Sequence, residues 1–299
     1  MTTIRRPAFR SIFLLLVFAG LFLTACGSRV ADTNWPGLST DGENLYLANG
    51  ATVSAYDAGT QELLWQFPGP DDEVNPQLQF YSAPSIQEDR VIFGDYGAAG
   101  SMINPRVTVT VYALENNSPV APIEWTAPDV VKDKIVAPPL QVGDVVYVGS
   151  ADNLMVALDA TDGTAVWPAP FETGHSIWGQ AAYAGGILYV TSLDRSLHAL
   201  DAQTGIEKWN VEFEGAIASQ PVLNEDLVYV AEFGNQVHAI DKDNGNIVWS
   251  APAENWVWGA PAYAAGVVYY ADIDGNVFAV NARTGDALWQ AQAAGAVQT

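Results

Sequence analysis

From residue 35 onward the chain is a succession of short apolar runs cut by polar turns. The clearest runs are Asn44-Leu45-Tyr46-Leu47, Val91-Ile92-Phe93, Val145-Val146-Tyr147-Val148, Ile187-Leu188-Tyr189-Val190, Leu227-Val228-Tyr229-Val230 and Val267-Val268-Tyr269-Tyr270. They are rich in β-branched and aromatic residues and are bounded by Gly, Asp and Asn, the composition of strands set between tight turns. No sustained 3.6-residue apolar period appears after residue 25, so the pattern predicts an all-β chain.

A second pattern recurs behind the first, Ala-x-Asp-x-x-x-Gly-x-x-x-Trp. It is read at Ala157, Asp159, Gly163 and Trp167; at Ala199, Asp201, Gly205 and Trp209; and at Ala239, Asp241, Gly245 and Trp249. The last copy, Ala279, Asn281, Gly285 and Trp289, has Asn for Asp. The copy from Ala55 to Trp65 has Gln61 in place of Gly, and that from Ala113 to Trp125 carries two extra residues. The six Trp are 60, 42, 42, 40 and 40 residues apart, a period that signals a propeller or solenoid. The Asp can accept hydrogen bonds from turn amides, the Gly supplies a positive φ, and the Trp can bury roughly 150–250 Å².

Each repeat contains four strand-like pieces. Counting back eleven residues from each strand-two aromatic places a first strand at Trp35, Ser82, Val136, Trp178, Ala218 and Trp258. The expected architecture is a β-propeller of six four-stranded antiparallel blades. A chain in phase with this repeat shares no strand across the first and last blades, unless the tail 294–299 supplies one, so ring closure stays open.

The repeated motif resembles the tryptophan-docking motif of the pyrroloquinoline-quinone (PQQ) repeat β-propellers, over Trp35 to Trp289. That resemblance implies an indole held between the Ala of its own blade and the Gly peptide of an adjacent one. The departures at Gln61, Asn281 and Trp125 are expected to give looser seams, with Trp125 contributing less than a regular Trp. Within this group the chain resembles the BamB-type outer-membrane assembly lipoproteins, which have eight blades. The quinone dehydrogenases that share the motif bind PQQ and calcium and commonly carry adjacent cysteines. No such set can be assigned here, and fold alone does not imply activity.

The first residues change the picture of where the chain works. Arg5, Arg6 and Arg10 precede the apolar run 12–23, which ends in Leu23-Thr24-Ala25-Cys26. This reads as a secretory signal peptide over 1–25, because the run is shorter than the roughly 20 residues of a membrane span. Leu-x-Ala-Cys resembles the bacterial lipobox, which implies lipidation of Cys26, the single cysteine. Residues 26–34 form a polar spacer and 35–299 the propeller. The expected location is extracytoplasmic and lipid-anchored, on the periplasmic side of an outer membrane or on the outer face of a single membrane.

The formal net charge is −22. Three of the 12 basic residues and none of the 34 acidic ones precede Cys26, which leaves about −25 on the remainder. Such a surface disfavours nucleic acid and suits basic partners or simple solubility. Blade two carries two insertions, 68–80 with Asp71, Asp72 and Glu73, and 95–106 with two glycines. Both fall on the rim that bears Trp35, Trp178, Trp256 and Trp258, and these seven side chains are the candidate partner-binding residues. Packing between blades is the alternative role for the Trp.

Candidate chemistry is sparse. His198 and His238 occupy one repeat position, which points to a structural slot. Asp272-Ile273-Asp274-Gly275-Asn276 resembles the start of a calcium loop, but Arg283 stands where an EF-hand needs Glu, and a hairpin fits better. The expectation is a non-catalytic interaction scaffold that binds other envelope proteins, with no catalytic, metal or cofactor-binding residues. Glycan or small-ligand binding on a Trp-rich rim is the alternative, ahead of a PQQ-dependent dehydrogenase.

Overall fold

The computed structural model describes residues 37–69, 77–97, 108–117 and 119–297. Cys26, Trp35, Asp71, Asp72 and Glu73 lie outside them, as do the signal peptide and most of both blade-two insertions.

Among the described residues, twenty-four strands form six four-stranded antiparallel sheets, each from strands consecutive in the chain. Blade one comprises β1 (Gly37–Thr40), β2 (Asn44–Asn49), β3 (Thr52–Asp57) and β4 (Leu63–Phe67). Blade two comprises β5 (Ser85–Gln87), β6 (Arg90–Gly94), β7 (Thr110–Glu115) and β8 (Ile123–Pro128). Blade three has β9 (Leu140–Val142), β10 (Val145–Gly149), β11 (Leu154–Asp159) and β12 (Phe171–Glu172). Blade four has β13 (Ala182–Ala184), β14 (Ile187–Thr191), β15 (Ser196–Asp201) and β16 (Glu207–Glu212). Blade five has β17 (Val222–Leu223), β18 (Leu227–Glu232), β19 (Gln236–Asp241) and β20 (Ile247–Pro252). Blade six has β21 (Ala262–Ala264), β22 (Val267–Ala271), β23 (Asn276–Asn281) and β24 (Ala287–Gln292). This is the six-blade propeller architecture.

Burial explains the two sequence patterns. Strands two and three of blades two to five are buried on both faces, as in β6, β7, β10 and β11, which is why they read as unbroken apolar runs. Outer strands such as β4, β8 and β20 alternate, with one face toward the next blade and the other toward solvent. The core is accordingly divided into five apolar clusters, each drawn from two successive blades. Five of the six sheets carry a bulge just after the Ala that faces the Trp, for example between Ala199 and Leu200.

Three departures from the sequence reading have physical causes. Trp178 and Trp258 lie in the lead-in before the inner strand, which starts only at Ala182 and Ala262. In blade two, Ile92 rather than Phe93 faces the motif alanine, Ala113, so Tyr81 takes the place assigned to Ser82. Phe93 instead packs with Phe67, Phe80 and Tyr112, at ring centroids 5.6, 5.4 and 5.6 Å away. In blade three, Trp167 belongs to no strand, and β12 is only two residues long. Pro168 and Pro170 lack amide protons, so the ladder cannot run through them.

Candidate partner-binding rim

The tryptophans come first, because they fix where every rim residue sits. Ala199, Ala239 and Ala279 face Trp209, Trp249 and Trp289 across the outer ladder, and the Val166 amide next to Trp167 donates to the Ala157 carbonyl. Asp159, Asp201 and Asp241 each accept turn amides on Oδ1, and Asn281 accepts the Arg283 and Thr284 amides in the same way. The Asn substitution therefore keeps both turn hydrogen bonds. Gly163, Gly205, Gly245 and Gly285 have φ of 73–75° and lie against Trp125, Trp167, Trp209 and Trp249 of the preceding blade. A Cβ at any of them would come within 2.6–2.8 Å of the indole. Each of those Trp Nε1 atoms donates to the carbonyl one residue beyond the next blade's Asp or Asn, as Trp125 does to Ala160 at 2.8 Å.

It follows that the irregular turn of blade two lies under Trp65, not under Trp125. Trp125 meets a regular Gly163, against the expectation of a loose seam there. Trp65 donates instead to the Asn116 side chain at 3.1 Å, and Asn116 Nδ2 donates to Tyr46 at 2.6 Å.

The rim is built from the lead-ins to the inner strands and the connections between strands two and three. A residue one or two positions after strand two ties the two together. Tyr96, Ala151, Leu193, Phe233 and Ile273 donate their amides to Gln79, Lys134, Ser176, Ala216 and Trp256. Carboxylates clamp the same junction, since Asp152, Asp194, Glu232 and Asp272 accept the amides of Lys132, Gly174, Gly215 and Asn255. Asp272 also accepts the Asp274 and Asn276 amides, closing the hairpin between β22 and β23.

On this frame Phe233 of blade five stacks with Trp256 and Trp258 of blade six, at ring centroids 5.6 and 4.9 Å and interplanar angles of 22° and 29°. Trp256 is 48% exposed. Trp178 stands at the Trp258 position of blade four, partly buried and two blades away from that stack. The equivalent junction of blades two and three holds Tyr81 edge-on to Tyr96 at 4.9 Å, with Lys134 Nζ 4.7 Å from the Tyr96 centroid. Phe233, Tyr81, Tyr96 and Lys134 were not singled out from sequence. Their signal was the repeat column itself: Phe233 and Tyr96 both follow strand two, and Lys134 occupies the Trp256 position.

Electrostatics at this end are largely internal. His198 lies between Glu207 (2.7 Å) and Asp194 (3.3 Å), and His238 between Ser250 (2.8 Å) and Glu232 (3.2 Å). Burial opposes the charge on His198, but the two carboxylates outweigh it and raise its pKa. Burial also acts to raise Asp194, yet hydrogen bonds from His198 and the Gly174 amide hold it at about 2. Asp95 differs. Burial dominates the amide and Tyr112 hydrogen bonds it receives and pushes it up to about 6.

With this geometry, comparison with known proteins decides the family. The model of outer membrane protein assembly factor BamB matches residues 52–174 and 170–299. The chain belongs to the BamB family. No curated protein sequence matches it. Among solved structures, this BamB-family chain is similar to BamB from Moraxella catarrhalis, with TM-score 0.68 and 20% identity over 85% of this chain and 75% of that one. It is also similar to the computationally designed Ika8 protein, with TM-score 0.59 and 13% identity over 88% of each chain. A quinohemoprotein alcohol dehydrogenase from Pseudomonas putida HK5 gives TM-score 0.68 and 14% identity over 87% of this chain. The BamB-family chain spans 59% of that enzyme, and a likeness at such identity shows the fold alone.

Proposed function

We propose that this BamB-family chain is a non-catalytic, lipid-anchored scaffold of the cell envelope, serving outer-membrane protein assembly. Its partners engage the rim around Trp178, Trp256 and Trp258 and the blade-two insertions 68–80 and 95–106. The observation that carries this reading is the exposed Trp256 on the Phe233–Trp258 stack. Large aromatic groups held rigid by their neighbours are the usual energetic centres of protein interfaces. The acidic chain favours partners with basic contact surfaces. Lipidation of Cys26 would keep the body near the bilayer, because a nine-residue spacer reaches at most roughly 30 Å.

The open face of Trp256 also suits stacking on a sugar ring, so glycan binding is the second reading. Crosslinking in the native envelope followed by mass spectrometry separates the two. Trp256→Ala, and trimming of 70–76 and 98–107, should each reduce specific protein crosslinks while Cys26→Ala releases a folded protein from membranes. Unchanged crosslinks in both rim variants would overturn the rim assignment. Saturable oligosaccharide binding in calorimetry, lost in Trp256→Ala, would favour the glycan reading.

A further inference from the structure

Three seams share one device. Tyr147 Oη and Trp167 Nε1 both donate to the Ala202 carbonyl at 3.0 Å. Tyr189 and Trp209 reach the Lys242 carbonyl at 3.5 and 3.2 Å, and Tyr229 and Trp249 reach that of Ala282 at 3.0 Å. In each case the acceptor follows the Asp or Asn of the next blade's turn, and the Gly of that turn lies flat against the indole.

Among the described residues, blade six presents the donor half of this device uncovered. Tyr269 and Trp289 stand 6.0 Å apart, against 5.8–5.9 Å in the three closed seams. Trp289 is 48% exposed where Trp249 is 8% exposed. Among the described residues neither Tyr269 Oη nor Trp289 Nε1 has a hydrogen-bond partner. Neither end of the described chain covers this face. The tail follows the path of earlier lead-ins, with the Ala293 amide donating to Gly275 as that of Phe213 does to Arg195, and adds no strand through Val297. Blade one has the same turn, with the Gly59 and Thr60 amides on Asp57, but at its Gly position stands Gln61 with φ 65°. Its Cβ would meet an indole where the four glycines already leave no room.

We propose that the Trp289–Tyr269 face is a docking site for a tight turn of the Asp/Asn-x-x-x-Gly kind, presented by the edge of a blade-like sheet in another polypeptide. The occupant follows from continuity with the internal seams, which place that turn on this pair of donors each time. A second copy of this chain is disfavoured twice over, by Gln61 and by the repulsion of two bodies each carrying about −25 beyond residue 25. This surface is the flank of an outer strand, distinct from the aromatic rim.

Gln61→Gly turns the chain itself into the probe, because it supplies the missing glycine and relieves a left-handed residue, so folding is not at risk. The readout is sedimentation velocity at about 0.15 M salt, where charge is screened beyond roughly 8 Å. Wild type should stay monomeric, while Gln61→Gly should associate head to tail at least tenfold more tightly. Adding Trp289→Ala, or Tyr269→Phe as the milder variant, should return it to the wild-type state. Association of Gln61→Gly no tighter than wild type, or insensitive to both second substitutions, would overturn the proposal. Wild-type self-association lost in Trp289→Ala would make the occupant a second copy and overturn the assignment to another polypeptide.

Discussion

At the scale of single residues, the seam glycines and one buried carboxylate have consequences that can be measured. Gly205 and Gly185 both have positive φ, but a Cβ at Gly205 would stand 2.7 Å from Trp167, while one at Gly185 meets nothing within 4 Å. Gly185→Ala should therefore cost only the left-handed backbone penalty, about 1–2 kcal/mol. Gly205→Ala should cost about 1–3 kcal/mol more, from overpacking against the indole. Urea titration of the two variants reads the difference. Burial pushes the Asp95 carboxyl up to about 6 in the fold, from its ordinary value of 3.8. The native state thus holds the extra proton between those values, and stability falls as pH rises through that window. Asp95→Asn removes this dependence, so the stability gap between wild type and variant should shrink by up to about 3 kcal/mol between pH 4 and 7. His198 is also raised, and its contribution is lost as pH rises through its own folded pKa, but it is common to both proteins and cancels. Asp194 acts in the opposite sense, holding its contribution above about pH 4 and losing it toward pH 2.

At the scale of elements, the sequence showed strands two, three and four because their apolar columns repeat at nearly fixed spacing. It misplaced what depends on tertiary neighbours. Phe93 matched the strand-two aromatics by type, yet pairing puts Ile92 in that column, since Phe93 is drawn into the cluster with Phe67 and Phe80. The rim stack was half legible. Trp256 and Trp258 stood out by residue type, while Phe233, the ring between them, lies in a different repeat some twenty positions earlier. The broken edge of blade three was written in Pro168 and Pro170 but hidden behind a regular Ala157-to-Trp167 motif. Because β12 keeps only two residues, the amides of Ala169, Phe171 and Glu172 should exchange with deuterium faster than those of 208–212 in blade four. Equal protection would mean that the short pairing of Met155 with Phe171 suffices to hold that edge.

At the scale of the whole molecule, stability should be graded along the succession of blades. Blades two to five each contribute to two apolar clusters, whereas blades one and six each contribute to one. In a repeat array such a unit opens first, being held by a single neighbour interface. Native-state hydrogen exchange should thus show β23 and β24 opening at lower free energy than β15 and β16. Trp167→Ala should cost about 3–5 kcal/mol and Trp289→Ala well under half of that, because most of what the second indole buries elsewhere is here still in water. The same exposure makes Trp289 an optical reporter. In a Trp256→Phe variant, which removes the other described indole that is 48% exposed, its emission should be the red-shifted, acrylamide-accessible share of the fluorescence, set against the five indoles buried or half-buried in the seams. Anything that caps blade six would move that share to shorter wavelength and shield it from the quencher. Occupancy of the open end can then be followed in the unlabelled chain.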